Sequence, residues 1–191
     1  TGAQVLGASV DAHRLPPLNT ALAEGDTVQV GTHTGRVLDV SGHTIGHIAF
    51  VFDGAGTEGE TLAFTADSLM AAGCGRLFEG SPDQMWDSLQ KLAALPDETW
   101  VCSGHEYTTS NLAFAAHVDP ANPALMARIE KVRLARAEGR ATVPSRLSGE
   151  RATNPFLRAG EAALKAAAGD AAATDHATFA ALRAMKDNFR G

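Results

Sequence analysis

Three stretches of the chain end a probable strand on a cation-binding side chain, the two histidines in glycine-containing loops: Ser41-Gly-His43-Thr-Ile-Gly-His47, Phe64-Thr-Ala-Asp67-Ser-Leu, and Ser103-Gly-His105-Glu-Tyr107. His43, Asp67 and His105 are 24 and 38 residues apart. Each follows a run rich in β-formers, so the chain delivers all three to strand ends on one edge of a sheet. A carboxylate at the end of a buried strand is costly unless a cation meets it. Its two oxygens can bridge two divalent ions, and two ions about 3.5–4 Å apart make a nucleophile from water at neutral pH. Imidazole suits zinc and also iron or manganese, so the residues do not choose the metal. Three ligands shared by two ions give each ion two protein contacts, below the three or four that zinc takes. Either another segment completes the site or the chain binds metal poorly.

The elements that must carry these residues can be read in order. Gln4 to Val10 is a short strand, and Asp11-Ala-His13 is a surface turn rather than a metal fragment. Thr27–Val30 and Gly35–Val40 are strands around a turn at Gly31–Gly35 that holds a solvent-facing His33. The segment 47–52 and Glu60–Thr65 form the next pair, and Asp67 lies just beyond. The glycines at 73, 75 and 80 then form a loop that lets the backbone come close to a bound molecule. Ser81-Pro-Asp-Gln84 has the capping-box pattern that opens a helix, with Trp86, Leu89, Leu92 and Leu95 spaced for one buried face. Thr99–Cys102 is a strand leading to His105. Beyond residue 107 strand signals are sparse. Helices are expected at 108–118, from Asn122 to a C-terminal Gly139, at 161–168 and at 174–189, with 140–158 extended or irregular. His117 and His176 sit on helices as ordinary surface residues, and His47 begins the strand 47–52.

Composition narrows the function classes. A net charge of -6 argues against nucleic acid or an anionic membrane as partner, while allowing a local basic pocket. No apolar run approaches the roughly 20 residues that span a membrane. The two cysteines, Cys74 and Cys102, are too few for a disulfide framework and read as reduced thiols in a cytoplasmic protein. Cys74 lies near the supposed site, but no CxxC pair accompanies it.

Taken in order, GHTIGHI, FTADSL with GCGRLFEG, GHEYT followed by NLAFA, and TNPFLR resemble glyoxalase II, the hydroxyacylglutathione hydrolase of the metallo-β-lactamase superfamily. The resemblance runs from about Gly25 onward. It implies an α+β fold: a metallo-β-lactamase-like αββα sandwich with its N-terminal part missing (1–106), then a small all-helical, glutathione-binding domain (107–191). It makes His43, Asp67 and His105 the metal and catalytic residues, with Asp67 bridging two divalent ions (zinc, iron or manganese). It matches Arg76, Tyr107, Arg183 and Lys186 to glutathione-binding positions. Phe78 stands where some members have tyrosine, Ala66 where glycine is usual and Ser68 where threonine is usual.

The activity implied is hydrolysis of S-D-lactoylglutathione to D-lactate and glutathione by a hydroxide shared between the metals. The partner is then a small glutathione thioester, with no nucleic acid and no membrane. The family's T-H-x-H-x-D-H motif is absent from the 191 residues, so a missing N-terminal segment is expected as a further partner. The same absence supports the alternative of a non-catalytic fragment or pseudoenzyme that at most binds glutathione conjugates.

Overall fold

The computed structural model describes residues 2–190. In chain order the elements are β1 (Leu6–Ala8), a 3-10 turn (Ser9–Asp11), β2 (Thr20–Leu22), β3 (Thr27–Val30), β4 (His33–Asp39), β5 (Ile48–Phe52), β6 (Leu62–Ala66), β7 (Leu69–Met70), β8 (Gly73–Cys74), α1 (Pro82–Ala93), β9 (Trp100–Ser103), α2 (Thr108–Val118), α3 (Pro123–Ala137), β10 (Ser145–Arg146), α4 (Leu147–Thr153), α5 (Ala162–Ala167) and α6 (Asp175–Asn188). Six strands make the main sheet in the order β10-β9-β6-β5-β4-β3. Only the β6–β9 pairing in it is parallel, and the long crossover that joins them contains α1.

Alternation along the strands sorts the two faces. Val40, Ala49, Val51, Ala63 and Val101 are buried against Met85, Leu89 and Leu92 of α1 and against Phe156, Phe179 and Leu182. Leu22, Val28, Val37 and Phe52 pack on the opposite side. Helix α1 begins as its sequence demands: the Ser81 hydroxyl accepts from the Gln84 amide, and the Gln84 side chain accepts from the Ser81 amide. Its buried stripe is Met85, Ser88, Leu89 and Leu92, with Trp86 only partly covered and Leu95 buried beyond the helix end. Helix α3 ends with Gly139 at φ 69°, the left-handed conformation that suits glycine.

The structure corrects or refines four sequence expectations. The turn before β4 is only Gly31-Thr32, and His33 is the first, exposed residue of the strand. The glycine loop after Asp67 contains a small hairpin, β7–β8. The segment 140–158 is mostly extended or irregular, as expected, but it also holds a short helix, α4, directly after β10. Finally, the region beyond residue 107 is not wholly helical, since β10 pairs with β9 and extends the main sheet. No apolar period marks α4; its inward residues are Leu147, Glu150 and Thr153, and buried partners rather than local pattern fix it.

Candidate functional site

The three loops converge where β6 and β9 run side by side. The β6–β9 register breaks between Phe64 and Ala66, and Ala66 has φ 46°. That irregularity turns the chain so that Asp67 leaves the sheet edge. One Asp67 oxygen, Oδ1, lies 2.7 Å from His105 Nδ1; the other, Oδ2, lies 3.5 Å from His43 Nε2. The carboxylate is largely covered, at 16% side-chain exposure, and its only ion partners among the described residues are these two imidazoles.

Each imidazole is held from behind. His43 Nδ1 donates to the Arg76 carbonyl at 2.8 Å, which leaves Nε2 directed at Asp67. The His105 ring stacks on Tyr107 with centroids 5.1 Å apart and planes within 3°. His47 does not face the cluster as a ligand would. Its Nε2 accepts from the Asp67 amide at 3.1 Å, and its Nδ1 sits 3.1 Å from the Thr44 hydroxyl. Burial first, and then the neighbouring His43, push the His47 pKa below its ordinary value, which suits a neutral acceptor. Gly75 is needed for the close approach: a Cβ there would stand 2.2 Å from the Asp67 carbonyl oxygen and 2.8 Å from His43 Nδ1.

A cleft of about 490 Å³ opens from this cluster. Arg76, Phe78, Tyr107, Cys74, Arg183 and Lys186 line it together with His43, Asp67 and His105. The structure therefore gathers every sequence-predicted site residue around one space, but in different states. Arg76 is 64% exposed, and its closest carboxylate is Asp187 at 3.9 Å. Lys186 Nζ donates to the Ser110 carbonyl at 3.0 Å; burial, Arg183 and Arg76 lower its pKa. Arg183 is nearly inaccessible. It donates to the Cys74 carbonyl at 2.8 Å and to Asp187 at 3.0 Å, and its buried Nε has no partner. Phe78 is 67% exposed with its ring 4.9 Å from that of His43. Cys74 is buried, which pushes its thiol pKa up and removes it as a nucleophile.

Sequence reasoning missed two supports. Glu79 accepts from Arg14 and from the Ile45 amide at 2.9 Å, tying the His43 loop to the Arg76 loop. Those contacts, Arg14 foremost, hold its carboxyl at about 2. The other is Glu150, whose carboxylate is 0% exposed. Glu79 lies within the GCGRLFEG motif but is not singled out there, and Glu150 carries no signal beyond being a carboxylate in a segment with no periodic pattern.

A family model described as the hydroxyacylglutathione hydrolase C-terminus matches residues 106–189. The hydroxyacylglutathione hydrolase of Cereibacter sphaeroides is 62% identical over 189 residues, which cover 99% of this chain and 72% of that protein. The chain belongs to the hydroxyacylglutathione hydrolase family. A second family member, from Ruegeria pomeroyi, is 59% identical over 185 residues, covering 97% of this chain and 71% of the relative. The crystal structure of the BLEG-1 B3 metallo-β-lactamase superposes with a TM-score of 0.54 at 19% identity, covering 81% of this chain and 65% of that one. That likeness places the fold of this hydroxyacylglutathione hydrolase family member among the metallo-β-lactamases.

The donor types fit divalent cations. The nearly covered Asp67 carboxylate meets a different imidazole at each oxygen, and among the described residues no lysine or arginine pairs with it. The number of donors is small: among the described residues, no three or more His, Cys, Asp or Glu side chains are drawn together as a ready-made ligand set.

Proposed function

We propose that the protein hydrolyses the thioester of S-D-lactoylglutathione, giving D-lactate and glutathione. The observation that carries this reading is the single cleft in which the Asp67–His43–His105 cluster faces Arg76 and Lys186. His43, Asp67 and His105 would hold the metals, with Asp67 shared between two. What divalent cations supply at such a site is Lewis acidity and a water that ionises near neutral pH.

The chain's own residues supply the rest. The Arg76 carbonyl fixes the His43 ring, and His47 fixes the Asp67 backbone, so the donors are set before anything binds. The Arg76 guanidinium and the Lys186 ammonium meet the glutathione carboxylates, the first as a bidentate donor. Lys186 is half-buried and makes no ion pair among the described residues, Asp187 acting on it only from a distance, so an anion there regains charge pairing that burial and the nearby arginines oppose. Tyr107, a residue 51% exposed at the rim, has a hydroxyl that can donate to a peptide carbonyl or lie against the sulfur. Phe78 offers only an apolar edge, one hydrogen bond fewer than a tyrosine would give. Arg183 acts from underneath by holding the Cys74 carbonyl. The domain division at residue 107 belongs to the same reading: the 1–106 part carries the metal loops and the 107–191 part closes the glutathione side. Two thiols without a disulfide suit a cytoplasmic setting.

The test is thioester hydrolysis by the purified protein, with elemental metal analysis on the same sample. Turnover together with bound zinc, iron or manganese supports the reading. Neither turnover nor glutathione binding overturns it. Glutathione binding without metal or turnover selects the non-catalytic alternative, which the shortage of donors favours.

A further inference from the structure

The β7–β8 hairpin separates Asp67 from Arg76, and side chains from the helical region satisfy its backbone. Glu150 Oε2 accepts from the Ala72 amide at 2.7 Å. Asn154 Nδ2 donates to the Gly73 carbonyl at 3.0 Å, Asn111 Nδ2 to the Ala71 carbonyl at 3.1 Å, and Arg183 to the Cys74 carbonyl. The Glu150 carboxylate gathers these ties. Besides Ala72 it accepts from Asn154 at 3.2 Å, from the Ser145 hydroxyl at 2.7 Å and from Arg128. Ala72 is fully buried and has φ 56°, a conformation uncommon for a residue with a Cβ. Such a residue keeps that geometry only when its surroundings impose it, and its amide has no water to turn to.

The two ends of the hairpin are held differently. On the Asp67 side, anchors come from the sheet region: His47 to the Asp67 amide, the Ser68 hydroxyl to the Val40 carbonyl at 2.8 Å, and the Gly104 amide to the Ala66 carbonyl at 2.8 Å. On the other side, Gly75 and Arg76 follow the hairpin directly, and the Arg76 carbonyl orients His43. A shift of the hairpin would therefore move Arg76 and His43 against a fixed Asp67.

We propose that Glu150 is a positioning residue: through the Ala72 amide, its buried carboxylate sets the place of Gly75–Arg76, and with it the His43 ring and the Arg76 guanidinium. What Arg76 meets rests on the thioesterase reading; the positioning does not.

The experiment compares wild type, Glu150→Gln and Ser145→Ala by ¹⁵N NMR of the backbone amides and histidine rings, with glutathione titrated by calorimetry below the melting temperature. Ser145→Ala removes one bond to the same carboxylate without touching the hairpin, and wild-type signals are expected at Ala72, Gly75, Arg76 and His43. Glu150→Gln is expected to move all four and to weaken glutathione binding about tenfold, the scale of one displaced charged contact. Where Glu150→Gln fails to fold, the double change Arg128→Met with Glu150→Gln leaves no unpaired charge and is read in the same way. A lower melting temperature with unmoved Arg76 and His43 signals overturns the proposal. Wild-type protein that binds no glutathione overturns the thioesterase reading instead, while the ring and amide signals still decide the positioning.

Discussion

Of the clefts of similar size on the described residues, two are lined by several cations, and these two differ in how far their arginines are already bonded. The cleft between α3 and the segment 140–153 is about 540 Å³ and has Arg128, Lys131, Arg140 and Arg146 in its wall. The site cleft is about 490 Å³ and has Arg76, Arg183 and Lys186. By volume and cation count the first looks the better anion site. Its arginines, however, are occupied. Arg128 is paired with Glu150, Arg140 with Glu138, and Arg146 with Glu60 at 2.7 Å while it stacks over Trp100 at 3.7 Å. In the site cleft, Arg76 approaches no carboxylate closer than 3.9 Å, and Lys186 donates to a backbone carbonyl. Imidazoles and a nearly covered carboxylate face the same space. Unspent bonding capacity separates a binding cleft from a structural one.

The sharpest way to break that comparison is to remove the shared carboxylate. Asp67→Asn is expected to lower thioester turnover about a thousandfold and to abolish stoichiometric metal, the scale of losing a site worth several kcal/mol at the transition state. Arg140→Ala, in the other cleft, should leave turnover within about twofold, because an exposed pair contributes little. Equal losses from the two would erase the distinction. The next largest effect separates the cations of the site itself. Arg183→Ala should cost about 1.5–3 kcal/mol of folding stability, since it strips a buried charged donor from the Cys74 carbonyl. Arg76→Ala should leave the urea midpoint unchanged and raise KM about tenfold with kcat within about threefold, as expected of a charged contact made equally to substrate and transition state. An Arg76→Ala variant that melts early while keeping its KM would place Arg76 with the structural arginines.

The sequence showed the site cluster because its chemistry lies in short signatures. His43 and His105 sit in glycine-containing turns and Asp67 just past a readable strand, and the structure brings them together. Helices α2 and α3 were legible to within a residue from their proline and glycine boundaries. The β7–β8 hairpin and α4 were not. Both are short, neither has a repeating apolar pattern, and each is specified by long-range bonds between Glu150 or Asn154 and Ala72 or Gly73. The state of Arg183 was hidden for a similar reason. Its helical spacing placed it beside Lys186, but only the packed structure shows that one head is buried and tied while the other still has capacity.

The structural character of the larger cleft should also show in acid. Glu60 accepts from the Glu58 amide and its own, and then from Arg146 and Trp100; these hold its carboxyl at about 2 instead of about 4.5. A folded pKa below the unfolded one means that the contribution is complete above about 4.5 and is lost as the pH falls toward 2. Urea midpoints measured from pH 6 down to pH 2.5 should therefore fall more steeply for wild type than for Glu60→Gln. Parallel slopes would mean that the bonds to Glu60, the Glu58 amide first and Arg146 after it, do not hold its carboxyl low.

The smallest expected effect lies beside the Asp67 carboxylate. Ala66 has φ 46° and Ala72 φ 56°, so both alanines occupy the left-handed region, which costs a residue with a Cβ about 1 kcal/mol or more. Replacement by glycine relieves that strain but gives the unfolded chain more freedom, offsetting about 0.4–1 kcal/mol. The two positions then differ in what the methyl group touches. Ala72 is 0% exposed within a cluster that includes Leu112, Ala115 and Leu125, so Ala72→Gly also loses packing and should destabilise. Ala66 is only partly buried at the end of β6, where little packing is lost, so Ala66→Gly should be neutral to stabilising by about 0.5 kcal/mol. Asp67 is held through its own amide by His47, independently of the residue before it, so turnover in Ala66→Gly should stay within about twofold of wild type. A large loss of turnover there would mean that the strained alanine itself, and not His47, aims the carboxylate.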